Sequence, residues 1–266
     1  MTLNEYQGVR IFNRPVKMLG TALMVYVYLV DGMLVDSGPH RLQQSVGAFC
    51  SRWGIDKIVH THFHEDHTGN TAYLRHQFQI PAYVHPSSLE RLQHNGSIPF
   101  YRLAYWGKRP GFKADPLPNL IENHSSRFHV IPTPGHTSDH VVFLDKEHGR
   151  LFSGDLFVHP KTRIVMSTEN IPQVMESLRR ILQENFETVY CAHAGVIKNG
   201  YHLVKQKLAN LEALQDQIFT LQEKGLSRKA INRKLFPETP PITYYSFGEW
   251  SSHHLVRSLA DNQKET

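Results

Sequence analysis

A dense group of potential metal ligands lies in the stretch from Thr61 to His67. Its four candidate ligands are three imidazoles and one carboxylate, those of His62, His64, Asp66 and His67. Imidazole and carboxylate donors together suit zinc, with iron, manganese, cobalt and nickel as alternatives. A solvated turn is the competing explanation, since the chain has 18 histidines. We favour a metal site, because no periodic helix or strand requires these side chains in this order.

The elements on either side of this stretch should place it in a connection between a strand and a helix. Residues 57–60 are predicted as a strand, and residues 70–78 as a helix with Asn70 at its N-cap. Functional side chains concentrate in such connections. The sequence therefore predicts a metal-binding loop at the end of a strand.

Three later motifs extend the pattern. They are Pro134-Gly135-His136-Thr137, Ser153-Gly154-Asp155 and Ala192-His193-Ala194-Gly195. Together with the first group, in this order, they resemble the metallo-β-lactamase-fold hydrolases over roughly residues 18 to 200. Asp155 and His67 stand where the antibiotic-hydrolysing members carry Cys and Arg. The pattern is therefore closer to glyoxalase II, lactonases and tRNA-processing nucleases.

The resemblance implies a dinuclear metal site with an open position on each ion. One ion would be bound by His62, His64 and His136, the other by Asp66, His67 and His193, with Asp155 as a bridge. The expected ions are two divalent transition metals, zinc first and iron or manganese as alternatives. Asp36 would support the metal loop from behind, although a turn-forming Asp after a strand explains it equally well. We assign Asp139 the same supporting role, that of orienting a metal ligand.

The remaining pattern predicts an α/β fold. Residues 21–35 surround Asp31-Gly32 and predict a hairpin, while 41–52 and 171–185 have helical periodicity. The resemblance implies a four-layer αββα sandwich with a C-terminal helical appendage. We expect a catalytic domain over residues 1–200 and a helical region over 201–266.

An aromatic, proline-containing insertion interrupts the α/β rhythm at residues 86–127. We expect only short helical pieces there. Long irregular segments of this kind form lids, binding loops or interfaces, although these aromatic residues could equally pack on the body of the domain.

Bulk composition indicates an ordinary soluble chain, with 40% hydrophobic and 20% charged residues. The longest apolar run, residues 22–30, is too short to span a bilayer. We see no secretory signal and expect a cytoplasmic protein in which Cys50 and Cys191 are reduced. The net charge of +5 favours anionic partners only weakly.

Three functions are compatible with these residues. The favoured one is a dinuclear hydrolase in which an activated hydroxide attacks a carboxylic ester, thioester or lactone, with Asp66 as both ligand and catalytic residue. The second is a phosphodiesterase or nuclease that uses the same ions and the basic residues near Lys229 and Arg233. The third is a non-catalytic metal-binding protein. We expect a small-molecule substrate and no membrane, while the substrate, the native metal and the oligomeric state stay open.

Overall fold

The computed structural model describes residues 4–18 and 21–261. These residues form two compact units. The first comprises the described residues within 1–132, 139–158 and 185–200, and the second those within 133–138, 159–184 and 201–266. The division of the chain at residue 200 into catalytic and helical regions stays a prediction.

A seven-stranded sheet opens the first unit. Its strands are β1 (Glu5–Tyr6), β2 (Val9–Met18), β3 (Thr21–Val30), β4 (Met33–Val35), β5 (Lys57–Val59), β6 (Ala82–Val84) and β7 (Asp115–Pro116), and they lie side by side in this order. Strands β1 to β4 are antiparallel, and β4 to β7 are parallel. A tight turn joins β3 to β4, with φ of 51° at Asp31 and 79° at Gly32. Two positive φ values in succession are typical of a type I′ turn, so the predicted hairpin is confirmed.

Helices pack on one face of this sheet. They are α1 (Gln43–Trp53), α2 (Glu65–Thr68), α3 (Thr71–Phe78), α4 (Leu89–Gln93) and α5 (Phe100–Trp106). Val46, Leu74 and Tyr105 bury their side chains against the sheet in a common core. The predicted N-cap position of Asn70 is confirmed, although its side chain makes no capping hydrogen bond. Its amide donates instead to the carbonyls of Ser37, at 2.8 Å, and Pro39, at 2.9 Å.

A second sheet covers the other face of the first. The strands that follow in the chain are β8 (Leu120–Glu122), β9 (Arg127–Pro132), β10 (Val141–Asp145), β11 (Arg150–Gly154), β12 (Val165–Met166), β13 (Thr188–Cys191) and β14 (Gly195–Ile197). All except β12 form this sheet, in the order β14-β13-β11-β10-β9-β8. Tyr28, Phe152 and Tyr190 fill the space between the sheets, with ring centroids of Tyr28 and Tyr190 5.3 Å apart. The first unit is therefore built as helices, sheet and sheet.

The segment 86–127 is more regular than predicted. It contains β7 and β8, one edge strand of each sheet, as well as helices α4 and α5. The expectation of short helical pieces alone was wrong. The two strands are hard to recognise in the sequence, because they have only two and three residues and β7 includes Pro116. Proline disfavours a strand in any sequence pattern and is tolerated at an edge.

The second unit contains the helical end of the chain. Its elements are β12, α6 (Ile171–Ile181), α7 (Gly200–Glu223), α8 (Arg228–Leu235), α9 (Pro241–Tyr245), β15 (Trp250–Ser251) and α10 (Ser252–Ala260). Helix α6 ends earlier than the predicted Asn185. The amides of Gln183 and Glu184 bond to carbonyls three residues back, which tightens the last turn and stops the helix. At the start of helix α8, the Ser227 hydroxyl accepts a hydrogen bond from the Ala230 amide and caps the helix.

Several predicted site residues follow the carboxyl ends of strands. Asp36 comes after β4 and the metal loop after β5, which is parallel to β4. Asp155 comes after β11 and His193 shortly after β13, and these two strands are also parallel. The carboxyl ends of parallel neighbours meet at one sheet edge, where α/β proteins place their ligands.

Candidate metal centre

The metal loop is half loop and half helix. His64, with ψ of 151°, precedes the helix, and α2 forms a single turn from Glu65 to Thr68. The Thr68 hydroxyl donates to the His64 carbonyl at 2.8 Å, which closes this turn. The prediction of a loop throughout was therefore wrong for Asp66 and His67. Asp66 and His67 belong to this helical turn, whereas His62 and His64 precede it.

The imidazoles of His62 and His64 lie together. His62 Nε2 is 3.0 Å from His64 Nδ1, and both residues are buried. Two ring nitrogens at this separation can approach the same ion or share a proton. The pair is thus suited to binding one metal ion from the loop side.

Four donor atoms from three segments converge beside this pair. His67 Nε2 lies 3.4 Å from Asp155 Oδ1 and 3.8 Å from Asp66 Oδ2. His193 Nε2 lies 3.3 Å from Asp66 Oδ2 and 3.4 Å from Asp155 Oδ1. The donor atoms of His62, His67 and Asp155, and those of Asp66, His67 and His193, each lie within 4.8 Å of one another. Such spacing fits a metal ion among the donors, because zinc–ligand distances are about 2 Å.

Asp36 supports the loop through several hydrogen bonds. Its Oδ1 accepts from the Thr61 amide at 2.9 Å, and its Oδ2 accepts from the Thr61 hydroxyl at 2.9 Å and from His67 Nδ1 at 2.8 Å. Because Nδ1 of His67 donates to a carboxylate, Nε2 is the ring nitrogen left available to a metal ion. That Nε2 is buried and makes no hydrogen bond within residues 4–18 and 21–261. A metal ion would satisfy it, so the residues fit the implied cofactor.

A backbone carbonyl orients His193 in the same way. Its Nδ1 donates to the Met24 carbonyl of β3 at 2.9 Å, which leaves Nε2 for the convergent group. The indole of Trp106 lies beside the imidazole, with ring centroids 6.2 Å apart. His193 is therefore held by a strand and neighboured by a ring of helix α5.

Charges within the cluster shift its titration. Burial alone would lower the pKa of His67, but Asp36, Asp155 and Asp66 raise it well above its ordinary value. Burial likewise opposes protonation of His193, yet Asp155 and Asp66 raise its pKa to about 9. Burial would raise the pKa of Asp66, but His67 and His193 hold it below its usual range. The cluster thus stabilises positive charge, which a divalent cation also supplies.

Asp139 and His140 lie at the edge of the cluster. The Ser88 hydroxyl donates to Asp139 Oδ2 at 2.6 Å, and the Asp155 amide donates to His140 Nε2 at 3.2 Å. Gly154, with φ of 48°, is needed between them, since a Cβ there would lie 2.8 Å from His140 Nε2. His140 thereby fixes the start of the Asp155 segment, and the supporting role of Asp139 stays a prediction.

His136 belongs to the second unit. Its Nδ1 lies 3.2 Å from Glu169 Oε2, and the Asn170 amide donates to the Gly135 carbonyl at 2.8 Å. Gly135 has φ of 134°, and a Cβ there would lie 2.5 Å from the Val174 amide nitrogen. The Pro-Gly-His motif is therefore held against the start of α6. The role of His136 as a ligand stays a prediction.

Sequence reasoning missed several residues that contact the predicted ligands. Thr61 and Met24 act through backbone or hydroxyl groups, and Glu169 pairs with His136, a predicted ligand. The metal motif specifies the types of the ligands and contains no information on these three residues. Glu65 differs from them, because it stands inside the motif as a charged residue, and the structure buries it.

In the described part of the chain, none of the helices has the length and apolarity that a bilayer crossing requires.

Comparison with known proteins places the chain in a family. Residues 20–193 match the model of the metallo-beta-lactamase superfamily, which is more than half of the chain. The chain therefore belongs to the metallo-beta-lactamase superfamily. The resemblance inferred from the motifs is confirmed.

Individual relatives cover different shares of the chain. A hydroxyacylglutathione hydrolase of Nitrosomonas eutropha is 31% identical over 218 residues, which are 77% of this chain and 75% of that protein. An atrochrysone carboxyl ACP thioesterase of Aspergillus fumigatus is 25% identical over 192 residues, 71% of this chain and 55% of the relative. A lactamase-like protein of Pestalotiopsis microspora is 29% identical over 161 residues, 59% and 42% of the two chains. The chain thus spans about half the length of these fungal relatives.

A solved structure shares the fold. The metallo-beta-lactamase family protein TTHA1429 of Thermus thermophilus superposes with a TM-score of 0.69 at 19% identity, covering 97% of this chain and 95% of that one. The predicted α/β fold class of the metallo-β-lactamase type is therefore confirmed.

Proposed function

We propose that this chain is a metal-dependent hydrolase of a carboxylic ester, thioester or lactone. The observation that carries the proposal is the convergence of the donor atoms of Asp66, His67, Asp155 and His193, with each imidazole oriented from its far side. A closed structural zinc site uses all four ligand positions, whereas a catalytic site keeps one open. The relatives include a hydroxyacylglutathione hydrolase and a thioesterase, so thioesters are the first class to test.

The proposed ligand sets follow the family pattern. One ion is assigned to His62, His64 and His136, the other to Asp66, His67 and His193, with Asp155 shared. Zinc is the expected ion, since imidazole and carboxylate donors suit it. Iron and manganese accept the same donors, and metal analysis distinguishes them.

When bound, the ions polarise a carbonyl oxygen and lower the pKa of water towards about 7. The protein residues prepare the site for this chemistry. Asp36 and the Met24 carbonyl hold the imidazoles of His67 and His193 in the orientation that presents Nε2. His67 and His193 keep Asp66 ionised, so its carboxylate can accept a hydrogen bond from an attacking water.

A substrate panel on metal-loaded protein tests the proposal. The panel holds an acylglutathione thioester, a lactone, a phosphodiester and a β-lactam, each assayed with wild type, Asp66→Asn and Asp115→Asn. Asp66→Asn keeps the size of the side chain, and Asp115 is an exposed carboxylate that serves as the matched control. We expect turnover of a thioester, ester or lactone that Asp66→Asn abolishes and Asp115→Asn retains.

Two outcomes would redirect the assignment. Turnover of the phosphodiester alone would favour a nuclease or phosphodiesterase. Two bound ions with no turnover of any substrate class would favour a non-catalytic metal-binding protein.

A further inference from the structure

An arginine of helix α5 contacts the metal loop from outside the ligand set. Nε and Nη2 of Arg102 donate to Oε1 and Oε2 of Glu65, at 2.5 and 2.7 Å. The Glu65 side chain is 6% exposed and that of Arg102 12% exposed. Parallel double hydrogen bonds between guanidinium and carboxylate combine strength with a fixed direction. Burial would lower the pKa of Arg102, but Glu65 raises it above its ordinary value, so the guanidinium is charged.

Glu65 occupies a position where orientation matters. It stands between His64 and Asp66 and is the first residue of the single-turn helix α2. A helix this short has little stability of its own, because nucleation is unfavourable. A contact that fixes Glu65 therefore also fixes the backbone that presents Asp66.

Helix α5 is anchored firmly enough to provide such a contact. Tyr105 and Trp106 are buried in the core beneath the first sheet, and Trp106 also lies against the ring of His193. Gly107, just after the helix, packs closely, since a Cβ there would lie 3.2 Å from the Cβ of His40. Arg102 thus extends from a rigid support rather than from a free loop.

Stability alone is a weak explanation for this pair. A buried ion pair is expensive to desolvate, and apolar residues of similar volume often stabilise a protein as well or better. The feature that apolar residues cannot supply is the fixed direction of the Glu65 carboxylate.

We propose that Arg102 is a positioning residue that holds Asp66, through Glu65, in the orientation that binds the second metal ion. The inference rests on the proposed function, because it presupposes the ion assigned to Asp66, His67 and His193. It also predicts an asymmetry between the two ions. His62 and His64 precede α2, so loss of the Arg102 contact should weaken the second ion and spare the first.

Metal affinity is the decisive measurement. Zinc binding by metal-free protein is followed by competition with a chromophoric chelator, for wild type, Arg102→Ala, Arg102→Lys and Glu65→Gln. Loss of a residue that orients a metal ligand typically weakens binding by about 10- to 100-fold. We expect this loss for the second equivalent in Arg102→Ala and Glu65→Gln, with the first equivalent unchanged. Arg102→Lys should be intermediate, because an ammonium cannot form the double hydrogen bond.

A double variant tests whether Arg102 and Glu65 affect zinc binding through the same contact. If Arg102 acts only through Glu65, Arg102→Ala combined with Glu65→Gln should bind zinc no more weakly than either single variant. Arg179→Ala is the control, since Arg179 also forms ion pairs with carboxylates, those of Glu176 and Glu212, but lies half-exposed in the second unit. This control should bind both equivalents as wild type does.

The possible failures are distinguishable. Circular dichroism and thermal unfolding of the metal-free proteins check folding, and Glu65→Gln, which keeps the side-chain shape, carries the test if Arg102→Ala does not fold. Wild-type affinity for both ions in Glu65→Gln, or equal weakening of both ions, would overturn the positioning role. A wild-type protein that binds no zinc would instead overturn the proposed function.

Discussion

The carboxylate of Asp36 accepts a hydrogen bond from Nδ1 of His67 at 2.8 Å and also holds both the amide and the hydroxyl of Thr61. Asp36 itself has φ of 61°, in the left-handed region that non-glycine residues rarely adopt. A strained backbone that places one carboxylate against three donors is consistent with a function at this position. The Asp36 side chain thereby links the end of β4 to the metal loop that follows β5.

Asp36→Asn should therefore weaken the site without unfolding the protein. An amide has one acceptor oxygen in place of two, and it removes the negative charge that favours the donor form of His67 Nδ1. We expect metal affinity or kcat/KM to fall by about 10- to 100-fold. Chelator competition and steady-state kinetics check this, with Asp115→Asn as the exposed control. Unchanged affinity in Asp36→Asn would assign Asp36 to a turn instead.

Metal content tests the dinuclear arrangement. Protein purified without chelator should contain about two transition-metal ions per chain, because the proposed ligands divide into two sets that share Asp155. Chelation should abolish turnover and lower Tm, since a ligand bound only by the folded state stabilises it. Re-addition of zinc should restore both. Mass spectrometry of metals gives the ratio, and a value near zero after reconstitution would refute the ligand assignment.

Asp155→Ala offers a sharper version of the same test. If Asp155 is shared, this change should weaken both ions, whereas His193→Ala should weaken one. Selective loss of a single ion in Asp155→Ala would argue against a bridge.

The proposed ligands can be recognised in the sequence, whereas the groups that support them cannot, for a physical reason. Metal binding requires particular donor types, so His62, His64 and Asp155 are visible as residue types in a fixed order. Orientation of a ligand can come from any hydrogen-bond acceptor, and for His193 it is a backbone carbonyl of Met24, which every residue possesses. The Arg102 contact also depends on a fold that brings residues far apart in sequence together.

The fold likewise contains elements that the sequence predicts and elements that it does not. The hairpin at Asp31-Gly32 was predictable because its turn demands particular residues. Strand β2 was not predicted, since Pro15 and several polar residues lower its strand propensity. In the described part of the sheet, β1 pairs only with the first residues of β2, so Pro15 lies where its missing N–H interrupts no ladder on that side.

Alkaline conditions should destabilise the protein through its tyrosines. Burial, together with Cys191 and the neighbouring tyrosines, raises the pKa of Tyr28 well above its ordinary value, and burial also raises the pKa of Tyr190. The phenol of an unfolded chain has a pKa of about 10, so below that pH the folded state is fully stable. As the pH rises above this value, ionisation favours the unfolded state and the free energy of unfolding falls. We therefore expect the free energy of unfolding to fall between pH 9 and pH 12, measured by urea denaturation.

Tyr28→Phe isolates one of these residues. At neutral pH it should lower the free energy of unfolding by about 1–3 kcal/mol. The Tyr28 hydroxyl donates to the buried Cys191 carbonyl at 2.6 Å, and the variant loses this hydrogen bond. Its alkaline loss of stability should be smaller than that of wild type, since the variant has one fewer buried phenol to ionise. Equal losses in the two proteins would show that Tyr28 does not govern the alkaline transition.

The exposed cations of helix α8 separate a small-molecule hydrolase from a nuclease. Lys229, Arg233 and Lys234 are exposed on α8, and their joint replacement by Gln removes three positive charges without touching the proposed ligands. If the substrate is a nucleic acid, the triple variant should bind RNA or DNA more weakly, with a salt dependence flatter by about one unit of slope for each lost phosphate contact. We expect the other result, namely unchanged turnover of a thioester or lactone. Trp106→Ala, which removes the ring beside His193, should instead raise KM for a small substrate. Loss of phosphodiester cleavage in the triple variant, with no ester or lactone turnover in wild type, would reverse this expectation.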